Sequence, residues 1–229
     1  MTDPYGIDLT GFSLARFKDT LQDKALLPSR QILKEQLAER FAVLEAMDID
    51  HLAALIAALK TKKKLAQFAQ ASGLPEDYLV ILRRQAQSYI PRPVNLKDIP
   101  GVDPAHVARL ADVGVKHTKH LFVRARKAAA RVELGAESGV PAEALTELVQ
   151  LADLARAGWV GPIFVRLIHA AGAQTLAALA QCAPEALYAR MQAVNREQAL
   201  TKASFSVKDV AACIETAREL PKVVEYGGG

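Results

Sequence analysis

Residues 41–86 read FAVLEAMDIDHLAALIAALKTKKKLAQFAQASGLPEDYLVILRRQA, and residues 107–152 read VARLADVGVKHTKHLFVRARKAAARVELGAESGVPAEALTELVQLA. The two stretches align without a gap at an offset of 66. Ten of the 46 positions are identical, among them His51/His117, Leu55/Leu121, Ser72/Ser138, Gly73/Gly139, Pro75/Pro141 and Leu82/Leu148. Self-similarity at a fixed period is the signature of a repeated supersecondary unit. The S-G-[LV]-P punctuation says what the unit is made of. Glycine suits the residue just past a helix end, and proline suits the first turn of the next helix. A third, shorter copy follows at an offset of 58, where Val107, Leu110, Gly114, Val115 and Leu121 return as Val165, Ile168, Gly172, Ala173 and Leu179.

Working outward, each copy predicts three helical pieces. In the second copy these are a short helix from Pro104 to Val113, a longer one capped by Thr118 and running to about Ala136, and a third over about 142–157. Upstream, Ser13 is positioned to cap a helix with Leu14, Phe17 and Leu21 inward, and Ser29 to cap another over about 30–47. Downstream, Ser206 or Asp209 starts a last helix to Leu220, Val223-Val224-Glu225-Tyr226 is extended, and Gly227 to Gly229 is a loose tail. The expected fold class is all-α: about two and a half tandem helix-hairpin-helix-like repeats and no sheet. Composition agrees, since 41 Ala and 29 Leu stand against only 6% aromatic residues, and β-branched runs are few. The stretch Tyr89-Ile-Pro-Arg-Pro-Val-Asn95 excludes helix and reads as a linker. It divides an N-terminal unit, 1–90, from a C-terminal one, 91–229.

With 51% hydrophobic and 24% charged residues, the chain has the balance of a folded globular protein. Two cysteines, Cys182 and Cys213, build no disulfide framework, and neither an 18-residue apolar run nor a signal-peptide pattern occurs, so the expected location is cytoplasmic.

The net charge is only +4, but its distribution is uneven. No acid occurs from His51 to Pro75, where Lys60, Lys62, Lys63 and Lys64 cluster. None occurs from Val113 to Val132, where Lys116, Lys119, Arg124, Arg126, Lys127 and Arg131 lie. On one continuous helix Arg124, Lys127 and Arg131 form an exposed stripe, with Leu121, Phe122, Ala125, Ala129, Val132 and Leu134 opposite.

Two segments, Ile99-Pro100-Gly101-Val102-Asp103-Pro104 and Gly158-Trp159-Val160-Gly161-Pro162, are shaped like the turn of a helix-hairpin-helix. There, glycines let backbone N–H groups reach a phosphate at a helix start. Each keeps one of the two glycines. Asp103 replaces one, so the turn retaining Gly161 is the better phosphate candidate. Trp159 reads as a core anchor.

His117 and His120 share a helix face, but no cysteine or carboxylate stands at ligand spacing, so neither metal nor cofactor is expected. His51 and His117 share a repeat position and read as turn-packing residues. No Walker loop, G-x-S-x-G, GxGxxG or H-E-x-x-H occurs, and no catalytic constellation is evident.

Residues from about Leu96 to Tyr226 resemble an uncharacterised prokaryotic domain-of-unknown-function family with tandem helix-hairpin-helix-like repeats. The features that carry the resemblance are I-P-G-V-D-P at 99–104, A-D-V-G-V at 111–115, S-G-V-P at 138–141, L-A-D-L-A-R-A-G-W-V-G-P at 151–162, A-A-G-A-Q-T-L at 170–176, V-N-R-E at 194–197 and A-R-E-L-P-K-V-V-E-Y at 217–226. The resemblance implies a binding role and no known activity. Together these readings give a non-enzymatic module that binds nucleic acid (DNA) without sequence preference, through the basic helices and the Gly161 turn. The alternative is a protein-interaction or scaffold module whose basic faces meet an acidic partner. No membrane and no small-molecule substrate is expected.

Overall fold

A computed structural model describes residues 3–23, 26, 28–158 and 160–226. Among them are thirteen α-helices and three short 3-10 segments, with no sheet and only two isolated antiparallel bridges, Ser13 with His51 and Asn95 with His117. The fold is all-α. The chain divides into two compact units, Asp8–Tyr89 and a second made of Asp3–Ile7 together with Ile90–Gly229.

The first unit begins with α1 (Leu14–Asp23), which buries Leu14, Phe17 and Leu21. Ser13 Oγ caps it by accepting the Arg16 N–H at 3.1 Å. A 3-10 segment, Pro28–Lys34, comes next, and α2 is confined to Leu37–Ala46. The single helix expected over 30–47 is therefore broken. Gln36 sits at φ 47°, a left-handed conformation that cannot continue a right-handed helix. Helix α3 spans Leu52–Ala58, α4 Lys62–Ser72 and α5 Glu76–Gln87. Phe17, Phe41, Leu52, Leu55, Leu79 and Leu82 are fully enclosed in this unit's core.

The second unit contains α6 (Pro104–Asp112), α7 (Thr118–Ala125), α8 (Ala128–Ser138), α9 (Ala142–Leu154), α10 (Pro162–Ala170), α11 (Leu176–Ala180), α12 (Pro184–Gln198) and α13 (Val207–Glu219). Helix α9, continued by a 3-10 turn at Ala155–Ala157, is the central element and packs on α7, α8, α10 and α11. Ser206 and Asp209 form a reciprocal capping box at the start of α13.

Adding 66 to the bounds of α4 gives those of α8, and the local chemistry matches as well. His51 Nδ1 accepts the Ala54 N–H at 3.0 Å to cap α3, and His117 Nδ1 accepts the His120 N–H at 3.1 Å to cap α7. Gly73 and Gly139 take φ 72° and 67° just past α4 and α8, where a Cβ would be strained. Ser72 and Ser138 each donate to a carbonyl four residues back, Phe68 at 2.7 Å and Leu134 at 2.6 Å. At the 58-residue offset from His117 stands Thr175, whose Oγ1 caps α11 through the Ala178 N–H at 3.1 Å.

Two sequence expectations fail here. Thr118 is not the cap of α7. It is buried, and its Oγ1 accepts the Val94 N–H at 3.0 Å and pairs with Tyr5 Oη at 2.8 Å. Nor does one helix run to Ala136: the chain bends at Arg126 and Lys127, and α8 starts afresh at Ala128. The bend changes which residues face inward. Leu121, Phe122, Ala125 and Leu134 are buried as expected, but Ala129 is exposed and Val132 is 75% exposed.

One buried cluster organises the second unit. Arg156, fully enclosed, donates from Nη1 to Asp153 Oδ1 at 2.5 Å, from Nε to the Tyr5 carbonyl at 3.1 Å, and from Nη2 to the carbonyls of Pro4 and Pro221 at 3.0 and 2.8 Å. Its guanidinium also lies 4.6 Å over the Phe122 ring. Asp153 Oδ2 accepts the Leu176 N–H at 3.2 Å and the Tyr226 hydroxyl at 2.9 Å. Burial beside this carboxylate pushes the Tyr226 hydroxyl well above its ordinary pKa, so it remains a donor.

Candidate anion-binding site

The basic residues of the second window do not form the free stripe expected of them. Arg124 and Lys127 fall on either side of the bend, and acids distant in sequence reach both: Arg124 pairs with Glu137 at 2.5 Å, and Lys127 with Glu225 at 2.7 Å. Arg131 Nη1 donates to the Ala125 carbonyl at 3.1 Å, and its Nη2 donates to the Glu225 carbonyl. Lys119 pairs with Asp3 at 2.5 Å, and the Arg126 guanidinium stands 5.7 Å from the Phe122 ring. Lys116 is exposed and pairs with no carboxylate among the described residues.

The first window is different. Lys60, Lys62, Lys63 and Lys64 are all exposed, and among the described residues none pairs with a carboxylate. Lys62, Lys63 and Lys64 occupy the first turn of α4. Thr61 Oγ1 accepts the Lys64 N–H at 3.2 Å, while the Lys62 and Lys63 N–H groups precede the first intrahelical acceptor. Helix geometry places partial positive charge at this end, and three lysines add to it. Arg83 reaches the same corner from α5, donating from Nη1 to the Leu59 carbonyl at 3.1 Å with its Nε buried and unpaired.

The equivalent position in the second unit is occupied by the chain's own carboxylate. Glu225 Oε2 accepts the Ala128 N–H, the first of α8, at 3.0 Å, while Oε1 faces Lys127. These hydrogen bonds, from Lys127 first and from Ala128 next, hold the Glu225 carboxyl below its ordinary pKa. The Glu225 N–H closes the attachment by donating to the Arg126 carbonyl at 2.8 Å.

The two hairpin-like turns also differ. Asp103 Oδ1 caps α6 by accepting the Ala105 N–H at 2.8 Å, so a side chain already fills the place a phosphate would take. The Pro100 carbonyl of that turn accepts from Arg166 Nε at 2.6 Å, and Arg166 is held in turn by Glu147 at 2.5 Å. Gly161, at the start of α10, has φ −75°, and among the described residues nothing lies within 4 Å of where a Cβ would stand. Trp159 of the same turn, and Gly227 to Gly229, lie outside the described residues.

The histidine pair is committed to structure. The rings of His117 and His120 stack at 3.5 Å, and the His117 Nδ1 lone pair is used in capping α7. Burial, with His120 alongside, lowers the His117 pKa. Among the described residues no group of three or more His, Cys, Asp or Glu could hold a metal ion. Cys213 is buried and its thiol is pushed up to about 12, so no thiolate forms there near neutrality. No single described helix is long and apolar enough to cross a membrane.

Sequence reasoning missed Glu137, Glu225 and Asp3 as the partners of the basic residues, and it missed Arg156 with Asp153. For the second pair a signal existed: two charges three residues apart in the otherwise apolar run Leu151-Ala-Asp-Leu-Ala-Arg-Ala157. For the acids there was none: the Lys127–Glu225 and Lys119–Asp3 pairs span 98 and 116 residues, and Glu137, 13 residues from Arg124, meets it only because the chain breaks between α7 and α8.

The molecule is thus an all-α protein whose exposed chemistry, at the start of α4, is cationic. It belongs to the family described as a domain of unknown function (DUF4332), whose model matches residues 100–220. No curated protein and no solved structure matches the chain.

Proposed function

We propose that this protein is a non-enzymatic binding module for the phosphate backbone of nucleic acid, with its principal contact at the start of α4. The observation that carries the reading is the exposed cluster of Lys60, Lys62, Lys63 and Lys64, which among the described residues pairs with no carboxylate, at a helix end that is itself positive. Each lysine that neutralises a phosphate releases counterions, which gives affinity without base specificity. The helical units at 41–86 and 107–152 are read as tandem copies of a helix-hairpin-helix-like element, with the Gly161 backbone at the start of α10 as a further phosphate contact. The basic residues of the second window contribute less, because Arg124, Lys127 and Lys119 are already paired.

A second reading is supported by Glu225. A carboxylate on an extended segment occupies the start of α8, so an acidic peptide of a partner protein has the right chemistry for the start of α4.

The test is fluorescence anisotropy with labelled duplex DNA at two salt concentrations, comparing the native chain with a Lys62→Ala, Lys63→Ala, Lys64→Ala variant. The reading expects weaker binding in the variant and a salt slope shallower by about 0.9 for each phosphate that is no longer neutralised. Equal affinity and slope in the two proteins would remove the nucleic-acid reading of this face and leave the acidic-peptide reading in front.

A further inference from the structure

A cavity of about 290 Å³ lies within the second unit, and its wall is drawn from distant parts of the sequence. Pro100 comes from the turn before α6, Arg166 and His169 from the C-terminal half of α10, and exposed Gln174 from the turn after it. Helix α12 stops at Ala199, whose left-handed φ of 49° cannot continue it, and the residues on either side, Gln198 and Leu200, both line the cavity. Ligand pockets commonly run from about 300 Å³ upward, so this one suits a single small molecule or one base of a strand.

Two side-chain nitrogens of this wall are left over after the protein's own hydrogen bonds are made. Arg166 and His169 stand three residues apart and so share one face of α10. Arg166 donates from Nε to the Pro100 carbonyl at 2.6 Å and from Nη1 to Glu147 at 2.5 Å, while its Nη2 is buried with no partner among the described residues. His169, only 8% exposed, meets Gln150 Oε1 through Nε2 at 2.8 Å. Burial and the Arg166 charge disfavour a second proton on that ring. A carboxamide oxygen only accepts, so Nε2 carries the single ring proton, and Nδ1 keeps a lone pair with no partner among the described residues. A donor and an acceptor thus stand side by side, and buried polar groups are normally satisfied. Charge argues against an anion as the occupant. Glu147 already neutralises Arg166, His169 is neutral, and no carboxylate or lysine lines the cavity among the described residues.

We infer that the cavity walled by Arg166 and His169 binds the lactam edge of a nucleobase, a carbonyl beside a ring N–H as in hypoxanthine, guanine or uracil. The carbonyl accepts from Arg166 Nη2, and the ring N–H donates to His169 Nδ1. A carbonyl has two lone pairs and suits a guanidinium better than the single lone pair of a ring nitrogen, which favours the lactam edge over that of adenine. Pro100 and Leu200 supply apolar contact to the ring, and the Gln174 and Gln198 amides supply donors and acceptors for its other polar atoms or its sugar. A free nucleoside and a base unstacked from a single strand present the same edge. The site lies wholly in the second unit and uses none of the α4 lysines, so it stands apart from the phosphate-binding reading above.

The experiment uses the native full chain, isotopically labelled, so that no variant has to fold. Inosine is titrated in while the side-chain nitrogen resonances of Arg166 and His169 are followed. Both are expected to shift together and saturate. With 1-methylinosine, in which a methyl group replaces the ring N–H, binding is expected to be weaker by about tenfold or more, because the His169 acceptor is then left unpaired. No saturable shift with inosine at millimolar concentration, or equal binding of the two nucleosides, would overturn the inference. A second arm separates the two sources of the base. A short single strand of adenines containing one inosine is compared with the same strand of adenines alone. A shift at Arg166 and His169 with the first strand only sustains the site and assigns it a base within a strand. A shift with the nucleoside and with neither strand sustains the site and assigns it a free nucleoside. The Lys62→Ala, Lys63→Ala, Lys64→Ala variant is expected to bind inosine as the native chain does, whatever becomes of duplex binding.

Discussion

Asp153 and Arg156 stand three residues apart on the inward side of α9 and its 3-10 extension and meet at 2.5 Å, with 4% and 0% of their side chains exposed. Through the pair, α9 is tied to Pro4 and Tyr5 near one end of the chain and to Pro221 and Tyr226 near the other. Removing one partner of a buried pair leaves an uncompensated charge. Arg156→Ala is expected to destabilise the second unit by about 3–5 kcal/mol, measured by urea unfolding. A loss of under about 1 kcal/mol, the range of an exposed pair, would contradict the role assigned to it.

Tyr226→Phe removes only the hydroxyl that donates to Asp153. The expected loss is about 1.5–3 kcal/mol, the range for a hydrogen bond to a charged group. The check is thermal unfolding beside Tyr188→Phe, whose ring meets Phe205 edge-on at 5.6 Å.

His117 caps α7 through Nδ1, so His117→Ala is expected to lower stability by about 1 kcal/mol, while His117→Asn keeps an acceptor and loses less. The pH dependence follows from the same bond. The cap needs a neutral ring, and the folded pKa lies below the unfolded value of about 6.5. The unfolded chain thus binds the proton more readily, and the stabilisation is complete above about pH 6.5. It declines as the pH falls through the lower folded value. Buried His169, whose pKa is lowered by burial and by Arg166, acts in the same direction. Urea midpoints measured between pH 5 and 8 should fall on the acid side, and the slope should shrink in His117→Asn.

Lys62, Lys63 and Lys64 place like charge at the positive end of α4. Their replacement by Gln is expected to raise the thermal midpoint slightly at low ionic strength and to lose that gain in high salt. A midpoint lower than native would mean that the lysines stabilise the fold and are not held in reserve for a ligand.

Much of the fold was legible because its punctuation is local. Ser72, Gly73 and Pro75 act within a few residues of one another, as do Ser138, Gly139 and Pro141, and Ser206 with Asp209. The bend at Arg126 and Lys127 was harder to see, since both are good helix formers. The signal lay in the other copy, where Thr61, a residue with a capping hydroxyl, stands opposite Lys127. The pairing of the second basic window was not legible at all. An acid-free stretch predicts an unpaired face only if no distant acid folds onto it, and Glu225, Glu137 and Asp3 all do so. The pairing of Arg156 with Asp153 had a signal in the apolar run around it, but its other three acceptors were hidden, because they are main-chain carbonyls, which carry no residue signature.

The separate assignment of Asp3–Ile7 to the second unit bears on the order in which the protein assembles. The hydrogen bond between Arg156 and Tyr5 spans 151 residues, and the whole of the first unit lies inside that span. Gly6 and Pro91, where the chain leaves the second unit and returns to it, are adjacent: a Cβ on Gly6 would stand 3.1 Å from the proline ring. Within the first unit, the rings of Phe12 and Tyr89, near its own two ends, are 5.0 Å apart. Closing a flexible loop of about 80 residues costs about 4 kcal/mol of chain entropy. Prior formation of the first unit draws its ends together and removes most of that cost. Its helices therefore serve as a folding clamp for the unit that encloses them in sequence: Asp3–Ile7 reach their contacts with Arg156 and Thr118 at least cost in chain entropy once Asp8–Tyr89 has formed.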